Sequence, residues 1–158
     1  YKQSWMQENT ILPEELRMES LHYLLMKTHT MVQRDISAQA KKLGLSPGQP
    51  KVLDYLRNYE GSDQKTIAAY CEIEQATVGR ILTRMEDAGL IDRRQKPGNR
   101  RSWYIYLTEK GRAAAEDLQA IFEQADRRAA RALSTQEQAQ LKGLLQTICE
   151  SMQAERED

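Results

Sequence analysis

Five cations fall within nine residues: Arg93, Arg94, Lys96, Arg100 and Arg101, with no acid among them. Positive side chains at that density neutralise phosphates and release counterions, which is the chemistry nucleic-acid binding requires. A charge run is more often a solvated loop, so its neighbours must decide. Upstream, Val78, Ile81, Leu82 and Met85 share one face of a helical segment. The opposite face shows Gln75, Thr77, Arg80, Thr83 and Arg84. Arg80 and Arg84 are one turn apart and can span a base edge and a phosphate. Thr77 lies one turn before Arg80, near the helix start, where a short hydroxyl can meet a base or a phosphate.

Other chemistry finds little support. There is no phosphate-cradling Gly-rich loop, nucleophile elbow or Cys/His cluster with metal spacing. Carboxylate pairs such as Glu14-Glu15 and Glu86-Asp87 sit where helix ends and solvated faces explain them. His22 and His29 are too far apart along one helix to chelate a single ion easily. The chain is read as a non-enzyme without cofactor or metal.

The elements that position the basic groups follow from punctuation. Glu14 to about Leu43 reads as a long helix, ended by Gly44. Ser46 is expected to cap the next helix, with Pro47 at its first position, Gln49 closing a capping box, and an end near Tyr59. Ser62 or Asp63 caps a third helix, Gln64 to Cys71. After a turn at Glu72-Ile73, a fourth runs from Glu74 to Ala88 and stops at Gly89. Leu90 to Gln95 and Ser102 to Leu107 read as strands, joined through the turn residues Lys96-Pro97-Gly98-Asn99. Thr108 caps a fifth helix, Glu109 to about Ala132. Ser134-Thr135-Gln136-Glu137 opens a sixth, striped by Leu141, Leu144, Leu145, Ile148 and Met152. The fold class is mainly α with a small β-hairpin wing: a winged helix-turn-helix flanked by N- and C-terminal helices. The cations bracket the tip of the wing.

Composition agrees with a globular chain. It has 158 residues, 40% hydrophobic and 29% charged. Lys plus Arg equal Asp plus Glu at 23 each, so net charge is zero. Segments differ: residues 1–50 carry +1, 51–112 carry +3 and 113–158 carry −4. No apolar run reaches the roughly 18 residues of a membrane span, no signal peptide is evident, and two cysteines make no disulfide scaffold. A reduced, cytoplasmic setting is expected, without membrane association.

Several segments together carry a resemblance. They are Leu45-Ser46-Pro47-x-Gln49, then Asp63-Gln64-Lys65-Thr66-Ile67-Ala68. Gln75-Ala76-Thr77-Val78-x-Arg80-Ile81-Leu82-x-Arg84-Met85-Glu86 and Gly89-Leu90-Ile91 follow. Arg100-Arg101 and Leu107-Thr108-Glu109-Lys110-Gly111 close the series. In this order and spacing the chain resembles the MarR family of winged-helix transcriptional regulators. The resemblance implies a homodimer held by interlocked terminal helices, a recognition helix in the major groove of a pseudo-palindromic operator, and a wing in the flanking minor groove. Ala76, Thr77 and Arg80 match the family's base- and phosphate-contacting positions, and Arg100 and Arg101 its wing-tip arginines. Where the family usually has Asp before that pair, this chain has Asn99. With Gln75, Arg84 and Lys96 these complete the expected DNA-binding set. Expected regions are 1–44 for N-terminal dimerisation, 45–108 for DNA binding and 109–158 for C-terminal dimerisation.

The resemblance further implies release or modulation by a small aromatic or lipophilic effector, probed by His22, Tyr23, Tyr55, Tyr59 and Trp103 as candidate lining residues. Core packing is the simpler account of any one of them. Two alternatives differ in class: a winged-helix protein-interaction module, and a redox-responsive regulator acting through Cys71 or Cys149.

Overall fold

The computed structural model describes residues 19–155. The chain forms two compact units, one ending at Arg34 and one beginning at Asp35. In the first, α1 (Leu21–Lys42) begins and exposes Leu21, Tyr23, Leu24, Met26 and Met31. The expected start of this helix at Glu14 lies outside the described residues; Glu19 and Ser20 precede it without helical structure.

The second unit holds the core. After α1 the chain turns at Gly44 and enters α2 (Gln49–Asn58). The expected first turn at Ser46-Pro47 is instead a β-turn. Gln49 N–H donates to Ser46 O at 3.1 Å, and Gly48 has φ 86°. Pro then Gly at the two central positions is the pattern of a type II turn. The Gln49 side chain still accepts from Ser46 N–H at 3.0 Å, half of the expected box. Helix α2 therefore starts at Gln49, and Pro50 falls in its first turn, where a missing donor costs least.

Ser62–Asp63 form a two-residue strand, β1. Asp63 caps α3 (Gln64–Cys71), accepting from Thr66 N–H at 2.8 Å. That backbone bond holds the Asp63 carboxyl below the usual carboxylate range. Glu72 closes α3 in the left-handed conformation. Helix α4 (Gln75–Asp87) follows and ends as Leu90 N–H reaches back to Met85 O at 2.9 Å across Gly89, φ 71°. Then come β2 (Ile91–Lys96) and β3 (Asn99–Leu107). The sheet is antiparallel in the order β1-β3-β2, with Ser62 opposite Ile105 and Ile91 opposite Leu107. Sequence reading had a two-stranded hairpin; β1 is the addition.

Thr108 caps α5 (Glu109–Ala129), accepting from Gly111 N–H at 3.0 Å while donating to Gly89 O at 2.6 Å. Glu60 ties the same corner: it accepts from Leu107 N–H and from Arg112, each at 2.7 Å. The last element, α6 (Thr135–Ala154), opens with the full Ser134/Glu137 capping box.

Val52, Leu53, Leu56, Ile67, Val78, Leu82, Met85, Ile91, Ile105 and Leu118 are almost wholly buried and join α2, α3, α4, β2, β3 and α5. Each such side chain contributes about 1.5–3 kcal/mol of burial, so this core holds α3, α4 and the base of the sheet at Ile91 and Ile105 together. Helix α6 buries nothing and exposes Leu141, Leu144, Leu145 and Met152. Among the described residues, no helix is long and apolar enough to cross a membrane.

Candidate nucleic-acid interface

Helices α3 and α4 are joined through Glu72, Ile73 and Glu74, and α4 turns Val78, Ile81, Leu82 and Met85 into the core. Its outer face carries Gln75, Ala76, Arg80 and Arg84 in the open, with Thr77 half-buried. Gln64, the first residue of α3, donates from its side chain to Gln75 O at 2.9 Å and so pins the start of α4. Sequence reading passed over Gln64. The available signal is Gly79, where an added Cβ would meet Gln64 Nε2 at 3.0 Å.

Thr77 and Arg80 act on each other. Arg80 donates to Thr77 Oγ1 at 3.1 Å, which holds the guanidinium over the first turns of α4. A preset side chain loses less rotamer freedom when it meets a ligand. Glu74 precedes the helix without a side-chain cap bond. The first amides of α4 are thus left to water or to an incoming anion.

The wing turns between Lys96 and Asn99, with Gly98 at φ 83°. Asn99 organises its tip: Oδ1 accepts from Arg101 N–H and Ser102 N–H, both at 3.2 Å, and Nδ2 donates to Tyr104 OH at 3.3 Å. A neutral amide at this position therefore works on the backbone, not on an arginine side chain. Gln95, at the irregularity between Arg94 and Lys96, donates to Arg100 O at 2.9 Å.

The five cations of the run have different fates. Arg100 and Arg101 are exposed, and among the described residues their side chains have no partner. Lys96 Nζ sits 3.8 Å from the Tyr104 ring centre, and the Arg94 guanidinium 4.5 Å from that of Tyr106. Arg94 also pairs with Asp92 at 3.5 Å. Such stacking restrains a cation while leaving its charge at the surface. Arg93 leaves the finger altogether and turns back onto α4, 3.0 Å from both Thr83 Oγ1 and Glu86 Oε2. The expected five-charge finger is a four-charge one.

The ligand candidates belong to several elements, His22 and Tyr23 to the first unit and Tyr55, Tyr59 and Trp103 to the second. His22 and Tyr23 are exposed on α1; His22 Nε2 is 3.4 Å from Ser20 Oγ, and Tyr23 lines a shallow hollow with Met26, Lys27 and Met31. Tyr55 is buried, its hydroxyl 2.8 Å from Ser62 Oγ. Its ring lies 5.2 Å from Tyr59 and 4.7 Å from Tyr70, a residue the sequence reading did not single out. Trp103 stands half-exposed on β3 and makes no ring contact among the described residues. Among the described residues, no group of His, Cys, Asp and Glu could hold a metal. Cys71 is buried and burial pushes its thiol pKa up, away from the reactive thiolate. Cys149 is exposed on α6.

Comparison with known proteins follows the same outline. The model of the MarR family matches residues 45–103. The HTH-type transcriptional repressor Rv2887 of Mycobacterium tuberculosis is 27% identical over 128 residues, 81% of this chain and 92% of that protein. Its crystal structure with salicylic acid superposes with TM-score 0.67 at 27% identity, covering 82% of this chain and 96% of that one. Its complex with DNA gives 0.66 at 25% identity, covering 82% and 98%. A probable transcriptional regulator from Pseudomonas aeruginosa gives 0.74 at 27% identity, covering 82% and 97%.

Proposed function

We propose that this chain, whose residues 45–103 match the model of the MarR family, is a winged-helix transcriptional regulator of that kind and not an enzyme, and that it represses transcription as a homodimer on a pseudo-palindromic operator. Helix α4 of each protomer enters the major groove and the wing reaches the flanking minor groove, with half-sites about 34–36 Å apart. The observation that carries this is the state of four cations. Arg80, Arg84, Arg100 and Arg101 are exposed, and none has an acidic partner among the described residues. Arg93, Arg94 and Arg112 nearby are all ion-paired. Unpaired cations gathered on one helix face and one hairpin tip suit phosphate and base edges. Gln75, Ala76, Thr77, Lys96 and Asn99 support them, Ala76 by leaving room for close approach. Such a pattern favours DNA over the protein-interaction reading.

Gel-shift titration on the DNA upstream of its own gene tests the reading. Arg80→Ala lowers operator affinity and narrows the gap to unrelated duplex. Arg100→Ala weakens both alike and reduces the slope of log affinity against log salt by about two units, one per protomer. Binding that is neither salt-sensitive nor sequence-selective overturns the proposal.

Modulation by a small aromatic or lipophilic acid is the second part, supported by the relative crystallised with salicylic acid. His22, Tyr23, Tyr55, Tyr59 and Trp103 remain its candidate residues. A ligand that binds the folded state raises apparent stability. Aromatic acids should therefore raise the melting temperature in proportion to log concentration and lower operator affinity; an unchanged melt across a panel of such acids counts against an effector of this class.

A further inference from the structure

We propose that Arg93 is a positioning residue that locks the wing to the recognition helix, so that α4 and the hairpin tip meet DNA in one fixed relative orientation. This rests on the DNA-binding reading above.

Arg93 is the third residue of β2, opposite Ile105 of β3. Its guanidinium reaches two acceptors on α4. One terminal nitrogen donates to Thr83 Oγ1 at 3.0 Å, and Nε lies 3.0 Å from Glu86 Oε2. The Nε contact is an ion pair whose alignment falls short of a hydrogen bond. Thr83 is itself held, donating to Gly79 O at 3.0 Å. The Arg93 side chain is 22% exposed, against 58% for Arg94 beside it. It is the sheltered cation of the run, and salt screens it least.

The chemistry suits a latch. A planar guanidinium touching two points on one helix restrains rotation as well as distance, which a single contact does not. The backbone joining α4 to β2 passes through Gly89, in the left-handed region with open space where a side chain would be. Side-chain bonds across that joint therefore add a restraint the linker lacks. Thr83 lies one turn beyond Arg80, so the latch grips the same helix that carries the base-reading arginine. Two contact elements on one rigid body bind as a unit; loosened, each binds with the weaker effective concentration of a tethered pair.

The test compares Arg93→Gln and Thr83→Val in the full chain. Operator affinity should fall about tenfold in both, with affinity for unrelated duplex changed less than about twofold and the salt slope kept within roughly half a unit. Thr83→Val leaves every cation in place, so its loss cannot come from charge, and it carries the test if Arg93→Gln folds poorly. Hydrogen exchange of the β2 and β3 amides in the DNA-free protein should quicken several-fold in both variants. A salt slope reduced by about two units, one per protomer, with both duplexes weakened alike, makes Arg93 a phosphate contact and overturns the latch. Wild-type exchange rates in Thr83→Val overturn it too, whatever the DNA result. Failure of the wild-type protein to select any duplex counts against the DNA-binding reading, and the exchange measurement still judges the latch.

Discussion

Gly111→Ala should remove most of the stability of the unit that begins at Asp35. A Cβ at this position would lie 1.9 Å from Leu90 O and 3.0 Å from Leu90 C. Both are backbone atoms, so no rotamer change relieves the overlap. Leu90 O already accepts from Thr108 N–H at 3.1 Å, and Leu90 is buried in the core. To admit one methyl group, the first turn of α5 must lift off the entry to β2. That breaks the bond from Gly111 N–H to Thr108 Oγ1 and the one from Thr108 Oγ1 to Gly89 O. Overpacking alone costs about 1–3 kcal/mol, and each lost bond adds about 1 kcal/mol. The sum approaches 5 kcal/mol, comparable to the lower end of the roughly 5–15 kcal/mol that keeps a domain folded.

Chemical denaturation checks it against a built-in control. Gly143, in α6, has nothing within 4 Å of its added Cβ. It lies on the side of the helix away from Leu141, Leu144 and Leu145, so Gly143→Ala should stabilise by about 0.5–1 kcal/mol through helix propensity. The same chemical change thus has opposite signs at two sites. A Gly111→Ala midpoint near that of the wild type would mean that α5 does not press on Leu90 as described.

The contrast between these glycines also marks what could be read from the sequence. Gly111 belongs to a Leu107-Thr108-Glu109-Lys110-Gly111 segment that local rules identify as a cap, because Thr108 and Gly111 are three residues apart. Asp63 and Ser134 are legible for the same reason, their partners lying within one turn. Leu90, the residue that forbids a side chain at Gly111, is far away in sequence, and no periodicity points to it. Ser46-Pro47-Gly48-Gln49 fits a capping box and a type II turn equally well. Tertiary structure chooses the turn: Gly48 takes a positive φ, and a Cβ there would meet Ile81 Cδ1 at 2.5 Å. Strand β1 has two residues, too few for any alternation, and exists because β3 offers it an edge. Within the interface, the outer face of α4 was legible from helical spacing, and the wing from its turn residues. The division of labour among the five cations was not. Arg93 and Arg94 are adjacent and alike in type, but alternation along β2 sends one toward α4 and the other over Tyr106.

If the proposed homodimer forms through α6, replacing Leu144 and Leu145 together by Glu should leave a monomer and abolish operator binding, with each protomer folded. Helix α6 is 20 residues long and buries none of them within the chain. Helices gain most of their stability in proteins from packing of an apolar face. Leu141, Leu144, Leu145 and Met152 stand exposed on it, an apolar stripe that needs a cover. In the proposed homodimer a second copy is that cover, and two-fold symmetry then buries each leucine twice. At about 1.5–3 kcal/mol per buried leucine, the four removed by the double substitution account for roughly 6–12 kcal/mol of association energy. Four buried carboxylates would oppose it further. The core from Val52 to Leu118 contains no residue of α6, so the secondary-structure signal of α2 to α5 should survive. Loss of the second half-site forfeits the effective concentration of a linked pair, a drop of about 10²–10⁴ in operator affinity. Sedimentation and gel shift read the two effects separately. A variant that still sediments as a dimer places the interface elsewhere. A monomer that keeps full operator affinity would mean that one protomer suffices, and the pseudo-palindromic operator would lose its rationale.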